Sequence, residues 1–282
     1  MHTTISILLN AIGIIGVLAL VAVGLAIVFG MMNVINLAHG EFVTVGAYTA
    51  AFCGSKFGSF WIGLALAPLV GAALGLSLEV LLIRHLYKRP LHTIISTLGI
   101  SFIVQKLIEL TFGPAPMSIG NPLPGLVTIA DVSYPIYRLF VAGAAILVMG
   151  ILLLLYRRSG FGLDLRSAIQ NPAVASVLGI DVDRTYRTAF AVGASLAALA
   201  GALIAPIASI VPGMGLYYLI ESFFVVIVGG TGTIMGSIVG SAVIGGLESF
   251  FSFNVGGAFP QALVLVVAIV LVRVRPKGLV PV

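Results

Sequence analysis

The chain has 282 residues, 60% of them hydrophobic and only 8% charged, with a formal net charge of +5 and a mean hydropathy of +1.21. A soluble domain carries roughly 25% charged residues, so this composition excludes one and calls for a lipid solvent. The basic residues cluster at the ends of apolar runs, which excludes a nucleic-acid partner and matches the positive-inside rule.

At about 20 residues per span, there is room for about eight to ten transmembrane or re-entrant helices. The expected fold is an all-α polytopic membrane protein, one bundle over 1–282. Apolar runs lie near 5–31, 41–53, 60–83, 93–112, 135–156, 185–209, 217–229, 234–252 and 259–272. The first lacks a basic n-region and reads as a retained span, not a signal peptide. Basic clusters at Arg84, Lys88 and Arg89, at Arg157, Arg158 and Arg166, and at Arg273, Arg275 and Lys277 assign their loops to the cytoplasm. Loop 113–134 has four prolines and Asp131 but no Lys or Arg, so it is expected to face outward. Cys53 is alone, which leaves neither a disulfide framework nor a cysteine metal site.

Two stretches break the pattern of plain spans. Between Gly30 and Tyr48, Asn33, Asn36, His39 and Glu41 place four polar groups within nine residues. Such groups are costly at membrane depth unless they are paired or line a water-filled path. His39 and Glu41 read either as a proton relay or as a structural pair that shapes a helix break. Asn33 and Asn36 read either as pathway lining or as caps. The second break is Gly229-Gly230-Thr231-Gly232-Thr233, between two short runs. Interrupted helices in both halves of a chain point to a transporter's central pathway. Gly193, Ala197 and Gly201, and Gly236 and Gly240, are spaced by four residues, as close helix packing in lipid requires.

The longest polar piece is 157–184. Leu163 to Gln170 is expected to form one short helix. Asn171 is a good N-cap, with Pro172 at the favoured first position. Ala173 to Leu178 then form a second helix that Gly179 stops. Asp183 is expected to cap the next span near Arg184. A capped helical pair with an Ala-rich face suits docking in a partner's groove; the alternative is a loop resting on the membrane surface. Elsewhere, Lys106 and Glu109 are spaced for an ion pair, Glu221 and Glu248 are expected at solvated outer helix ends, and Glu79 at the interface.

No G-x-x-x-x-G-K-[ST] occurs, and Gly229–Thr233 has no lysine to reach a phosphate. Neither H-E-x-x-H nor a Ser-centred elbow is present, so nothing points to an enzyme or a metal site.

NVINLAHGEFVTVGAY (33–48), RSAIQNPAVASVLGIDVDRTYRTAFAVGASLAALAG (166–201) and FFVVIVGGTGTIMGSIVGSAVIGGLES (223–249) resemble the membrane permeases of ABC-class importers for branched-chain amino acids, urea and short amides. The resemblance runs through nearly the whole chain, in order. It implies a bacterial inner-membrane permease that pairs with a second, related permease into a heterodimeric translocation pathway. Two cytoplasmic ATPase subunits would bind Mg-ATP, this chain holding no cofactor, and a periplasmic binding protein would deliver the solute. Residues 157–184 would be the coupling segment, with Gln170, Asn171, Pro172, Ala175, Leu178, Gly179 and Asp181 at the ATPase. Asn33, Asn36, His39, Glu41, Gly229, Gly230 and Thr231 would lie on the pathway. RPLHTIISTLGIS (89–101), YPIYRLF (134–140) and GLYYLIESFFVVIVGG (215–230) lean towards urea-type permeases, and urea or a short amide stands level with a branched-chain amino acid. The rival from another class is a proton-coupled secondary transporter that uses His39 and Glu41.

Overall fold

A computed structural model of the chain describes residues 2–32, 36–87, 89–129, 132–255, 259–275 and 278–280. Asn33, Lys88, Asp131 and Lys277 lie outside the described residues. The helices in chain order are α1 (His2–Met32), α2 (His39–Phe57), α3 (Phe60–Leu81), α4 (Pro90–Phe112), α5 (Ile136–Arg158), α6 (Gly160–Gln170), α7 (Pro172–Val177), α8 (Val182–Ile204), α9 (Met214–Gly229), α10 (Ile234–Asn254) and α11 (Phe259–Val274). Among the described residues, six spans are long and apolar enough to cross a membrane: Ile5–Met31, Phe60–His85, Pro90–Phe112, Ile136–Arg158, Val182–Ile204 and Ile234–Asn254; α9 and α11 are shorter. The protein is an all-α polytopic membrane protein.

Loop 113–134 does not stay irregular. Strands β1 (Leu126–Ile129) and β2 (Val132–Pro135) pair antiparallel, Val127 opposite Tyr134. Met117 and Ile210 exchange backbone hydrogen bonds of 2.9 Å beside them. This hairpin end is tied to the start of α1, where the Tyr134 hydroxyl donates to the Leu9 carbonyl at 3.0 Å. At the opposite end of α1, Gly30 lies beside Ile169 of α6 and Gly232. Arg157, Arg158, Arg166, Arg184 and Arg187 all gather at this second, basic end.

α1 is the axis of the bundle. Leu20, Val21, Ala22 and Val23 are all fully buried, which means the helix is enclosed on every side, as continuous hydrophobicity predicts. It packs against α5, α8, α9 and α10, while α2 sits between α3, α8 and α9. Small residues make these approaches possible. Gly46 of α2 meets Ala198 of α8, Gly201 meets Val43, and Gly24 meets Gly193, the close backbone contacts expected where apolar helices associate in lipid. α4 stands outside, with Leu91, Ile95, Leu107 and Leu110 exposed, and meets the bundle mainly along α2.

At the basic end, α6 begins three residues earlier than its apolar pattern suggested, because Ser159 Oγ accepts from Gly162 N at 3.1 Å and caps it. Asn171 Oδ1 accepts from Ala173 N and Val174 N, both at 3.1 Å, and caps α7. Gly179 has φ +86°, a left-handed geometry that ends α7 and disfavours any side chain. The cap of α8 differs from expectation. Asp181, not Asp183, accepts from Arg184 N at 2.9 Å. The helix starts two residues earlier, at Val182, so the third helical N–H falls on Arg184 and within reach of Asp181.

Candidate functional site

The polar break after α1 is built as a turn stitched to two other helices. Asn36 Oδ1 accepts from Ala38 N at 3.0 Å, and Asn36 O accepts from His39 N at 3.1 Å. This side-chain turn leads directly into α2. Leu37 N donates to Thr97 Oγ1 of α4 at 3.2 Å. Asn36, His39 and Glu41 are all nearly fully buried.

His39 and Glu41 are not a pair. His39 Nε2 meets the Val21 carbonyl at 3.2 Å, inside the axis helix. Glu41 Oε1 accepts from Ser101 Oγ at 2.7 Å and from Gln105 Nε2 at 2.8 Å, on the outer helix. Residues two apart on a helix do not face each other, so one polar segment reaches in opposite directions. Glu41 also sits in the first turn of α2, where a helix N-terminus favours negative charge. Asn36 Nδ2, His39 Nδ1 and Glu41 Oε2 find no partner among the described protein atoms.

Glu41 therefore anchors α4 to the bundle. Interhelical hydrogen bonds in membranes average about 0.6 kcal/mol and reach about 1.7. Glu41→Ala forfeits two of them and the favourable charge at the helix start, and should cost about 2 kcal/mol. Detergent-titrated unfolding should show that loss, and Glu41→Gln should recover about half of it. A midpoint unchanged in Glu41→Ala would remove the anchor role.

Gly229, Gly230 and Thr231 belong to a segment that reaches the end of α1 just before this turn, where Gly232 packs beside Gly30. They form the handover from α9 to α10, where Thr233 Oγ1 accepts from Gly236 N at 3.0 Å. The C-terminal residues cover it: Leu279 N and Val280 N donate to the carbonyls of Val228 and Gly229, both at 2.9 Å. Gly229 and Gly230 are buried, while Thr231 is exposed.

The other carboxylates are more enclosed than expected. Glu79 is 1% exposed and accepts from the Tyr87 hydroxyl at 2.9 Å. Burial, and then the Glu79 carboxylate, push that hydroxyl well above the usual tyrosine range, so it remains a donor. The Tyr87 ring packs edge-on against Tyr186 at 5.3 Å, which links α3 to the start of α8 beside α6.

Glu221 and Glu248 are not solvated helix ends. Both are half-buried and line one cavity of 250 Å³ between α1, α5, α9 and α10. Arg138, Asn10, Tyr134 and Tyr217 line it too, and Val17, Leu18, Val141 and Ile204 supply apolar wall. Arg138 Nη1 donates to Asn10 Oδ1 at 2.8 Å. A second cavity beneath the hairpin shares Asn10, Tyr134 and Arg138 with the first. A third shares Tyr217, Glu221 and Glu248, and continues between α9 and α11. Sequence spacing gave no hint of this grouping, because Arg138, Glu221 and Glu248 meet only through tertiary packing.

The chain matches the family profile described as branched-chain amino acid transport system / permease component over residues 7–274. It is 30% identical to a Methanocaldococcus jannaschii protein named as a probable branched-chain amino acid transport permease LivH, covering 93% of this chain and 88% of that one. It is 28% identical to the Pseudomonas aeruginosa high-affinity branched-chain amino acid transport system permease BraD, covering 96% and 94%. Among solved structures, PsaBC from Streptococcus pneumoniae in complex with Fab superposes with a TM-score of 0.51 at 16% identity, covering 96% of this chain and 92% of that one. That likeness concerns the fold alone.

Proposed function

The chain belongs to the branched-chain amino acid transport permease family, and from that premise we propose that it is one permease of an ATP-driven importer carrying a branched-chain amino acid. It forms half of a conduit with a second, related permease. Two cytoplasmic ATPase subunits supply the energy, and a binding protein delivers solute to the hairpin end. The membrane is the cytoplasmic one, with the basic end inside, as the positive-inside rule requires. The relatives' names favour the amino acid over urea or a short amide.

One observation carries the division into conduit and motor. At the basic end, α7 presents Val174, Val177 and Leu178 to solvent, at 52%, 88% and 73% exposure. The knob is held rigid from behind: Asn171 caps it, Ala175 is buried, and Ile180 N returns to Ala175 O at 3.0 Å. An exposed apolar tip on a fixed frame suits a groove in another protein. Gln170 and Asp181 flank this knob on its exposed side.

The proton-coupled alternative needs His39 and Glu41 to exchange a proton. They instead contact Val21 on one side and Ser101 with Gln105 on the other, which favours a structural role for both.

Reconstitution tests the reading. Vesicles holding both permeases and both ATPases should accumulate radiolabelled leucine only with binding protein outside and ATP inside. A proton gradient without ATP should give no uptake above empty vesicles. Solute movement by this chain alone, driven by a proton gradient, would reverse the assignment.

A further inference from the structure

The cavity between α1, α5, α9 and α10 carries opposite charges that do not meet. Among the described residues, the ion pair formed is Lys106 with Glu109 at 2.6 Å. Arg138, Glu221 and Glu248 share one cavity wall yet make no ion pair. Intramembrane carboxylates ordinarily find a cationic partner, and those that do not mark solute or ion routes. Here the two glutamates converge with Tyr217 and have the space of the cavity before them. Arg138 is also held, not loose. Asn10 fixes one of its nitrogens, the Tyr134 hydroxyl lies within hydrogen-bonding reach of the guanidinium, and the remaining donors of the five-donor fork can meet a planar anion.

Apart from the Tyr134 and Tyr218 hydroxyls, the remaining lining is apolar, as ligand sites require around a few placed polar groups. At 250 Å³, the space lies just below the roughly 300–1,000 Å³ that drug-sized ligands occupy, so it suits a smaller solute. The linked cavities also set a direction. Arg138 is common to the space beneath the hairpin and the main cavity. Glu221 and Glu248 are common to the main cavity and the space that continues towards α11. A solute arriving at the hairpin end meets the guanidinium first and the carboxylates further in.

We propose that this cavity is a binding station for a zwitterion, with Arg138 taking the solute's carboxylate, Glu221 and Glu248 taking its ammonium, and the apolar wall taking its side chain. The station rests on the importer reading above and makes its substrate class specific. A neutral amide such as urea brings no charge to satisfy either end of the cavity. A zwitterion satisfies both, and its apolar side chain fits the wall formed by Val17, Leu18, Val141 and Ile204.

The test uses the complete transporter without its binding protein, so that the permease's own preference is read. Radiolabelled leucine should bind the wild-type complex saturably. Isocaproate, which lacks the ammonium, and isopentylamine, which lacks the carboxylate, should each displace it at least tenfold less well than leucine, and urea should not displace it. Arg138→Gln should abolish the preference for leucine over isopentylamine. Glu221→Gln with Glu248→Gln should abolish the preference over isocaproate. With binding protein restored, leucine uptake should fall at least tenfold in both variants. Uptake within twofold of wild type in both variants overturns the station, as does equal competition by the one-charge analogues or an absence of saturable leucine binding. A wild-type complex that transports urea but not leucine overturns the importer reading for amino acids instead. Where a variant does not assemble, the wild-type competition decides.

Discussion

Gly46→Ala should prevent this permease from folding, whereas Gly150→Ala should leave it as stable as wild type or slightly more so. Both exchanges add one methyl group to a helix, and in both helix propensity favours alanine by about 1 kcal/mol. What differs is the space. A Cβ at Gly46 would fall well inside the carbonyl group of Ala198, whereas one at Gly150 meets nothing within 4 Å. The obstruction at Gly46 is backbone, so no side chain can rotate away, and α2 and α8 must separate. Gly201 meets Val43 across the same seam, so separation at one point undoes the other. Overpacking ordinarily costs about 1–3 kcal/mol, and a backbone collision on a paired seam belongs at or above the upper figure. That outweighs the propensity gain and removes much of a native stability of roughly 5–15 kcal/mol. Gel filtration in mild detergent with denaturant titration checks both variants. A monodisperse Gly46→Ala protein with a wild-type unfolding midpoint would show that the seam is looser than its geometry.

Much of this arrangement is legible in the sequence, and the reason lies in the solvent. Lipid requires every spanning backbone to satisfy itself as helix, so each apolar run predicted for a span has a helix in the structure. α7 was equally readable, because Asn171, Pro172 and Gly179 act through neighbours within a few residues. The hairpin was not, since strands of four residues amid prolines carry little periodicity. Nor were the partners of the buried carboxylates. Glu41 finds Ser101 and Gln105 at separations of 60 and 64 residues, and hydropathy reports how much of a helix avoids water, not which neighbour it chooses. Glu221 and Glu248 were misread for the same reason: each is near a helix end in sequence, yet α1, α5 and α9 close over both.

The largest functional effect is expected at Val177. Its side chain is 88% exposed and touches nothing that holds this chain together, so Val177→Asp should change the permease's own stability by no more than about 0.5 kcal/mol, as for other surface substitutions. In the assembly proposed above, the same position would enter an ATPase groove, where a lone carboxylate would lose its water and gain no partner. Central interface residues of this kind are worth about 2 kcal/mol or more, and at 1.4 kcal/mol per tenfold the association should weaken at least about thirtyfold. Uptake should fall in proportion at limiting ATPase, and excess ATPase should restore part of it. Gly179→Arg is a less clear probe, because φ +86° at that residue strains any side chain before a partner is met. Ala175→Asp gives the converse. Ala175 is buried inside the chain, so that change should unfold the coupling segment itself, visible as rapid proteolysis at 159–181 without any ATPase present. Thus Val177→Asp should spare the fold and break the coupling, and Ala175→Asp should break both. Wild-type uptake and ATPase retention by Val177→Asp would place the motor's grip elsewhere on the basic end.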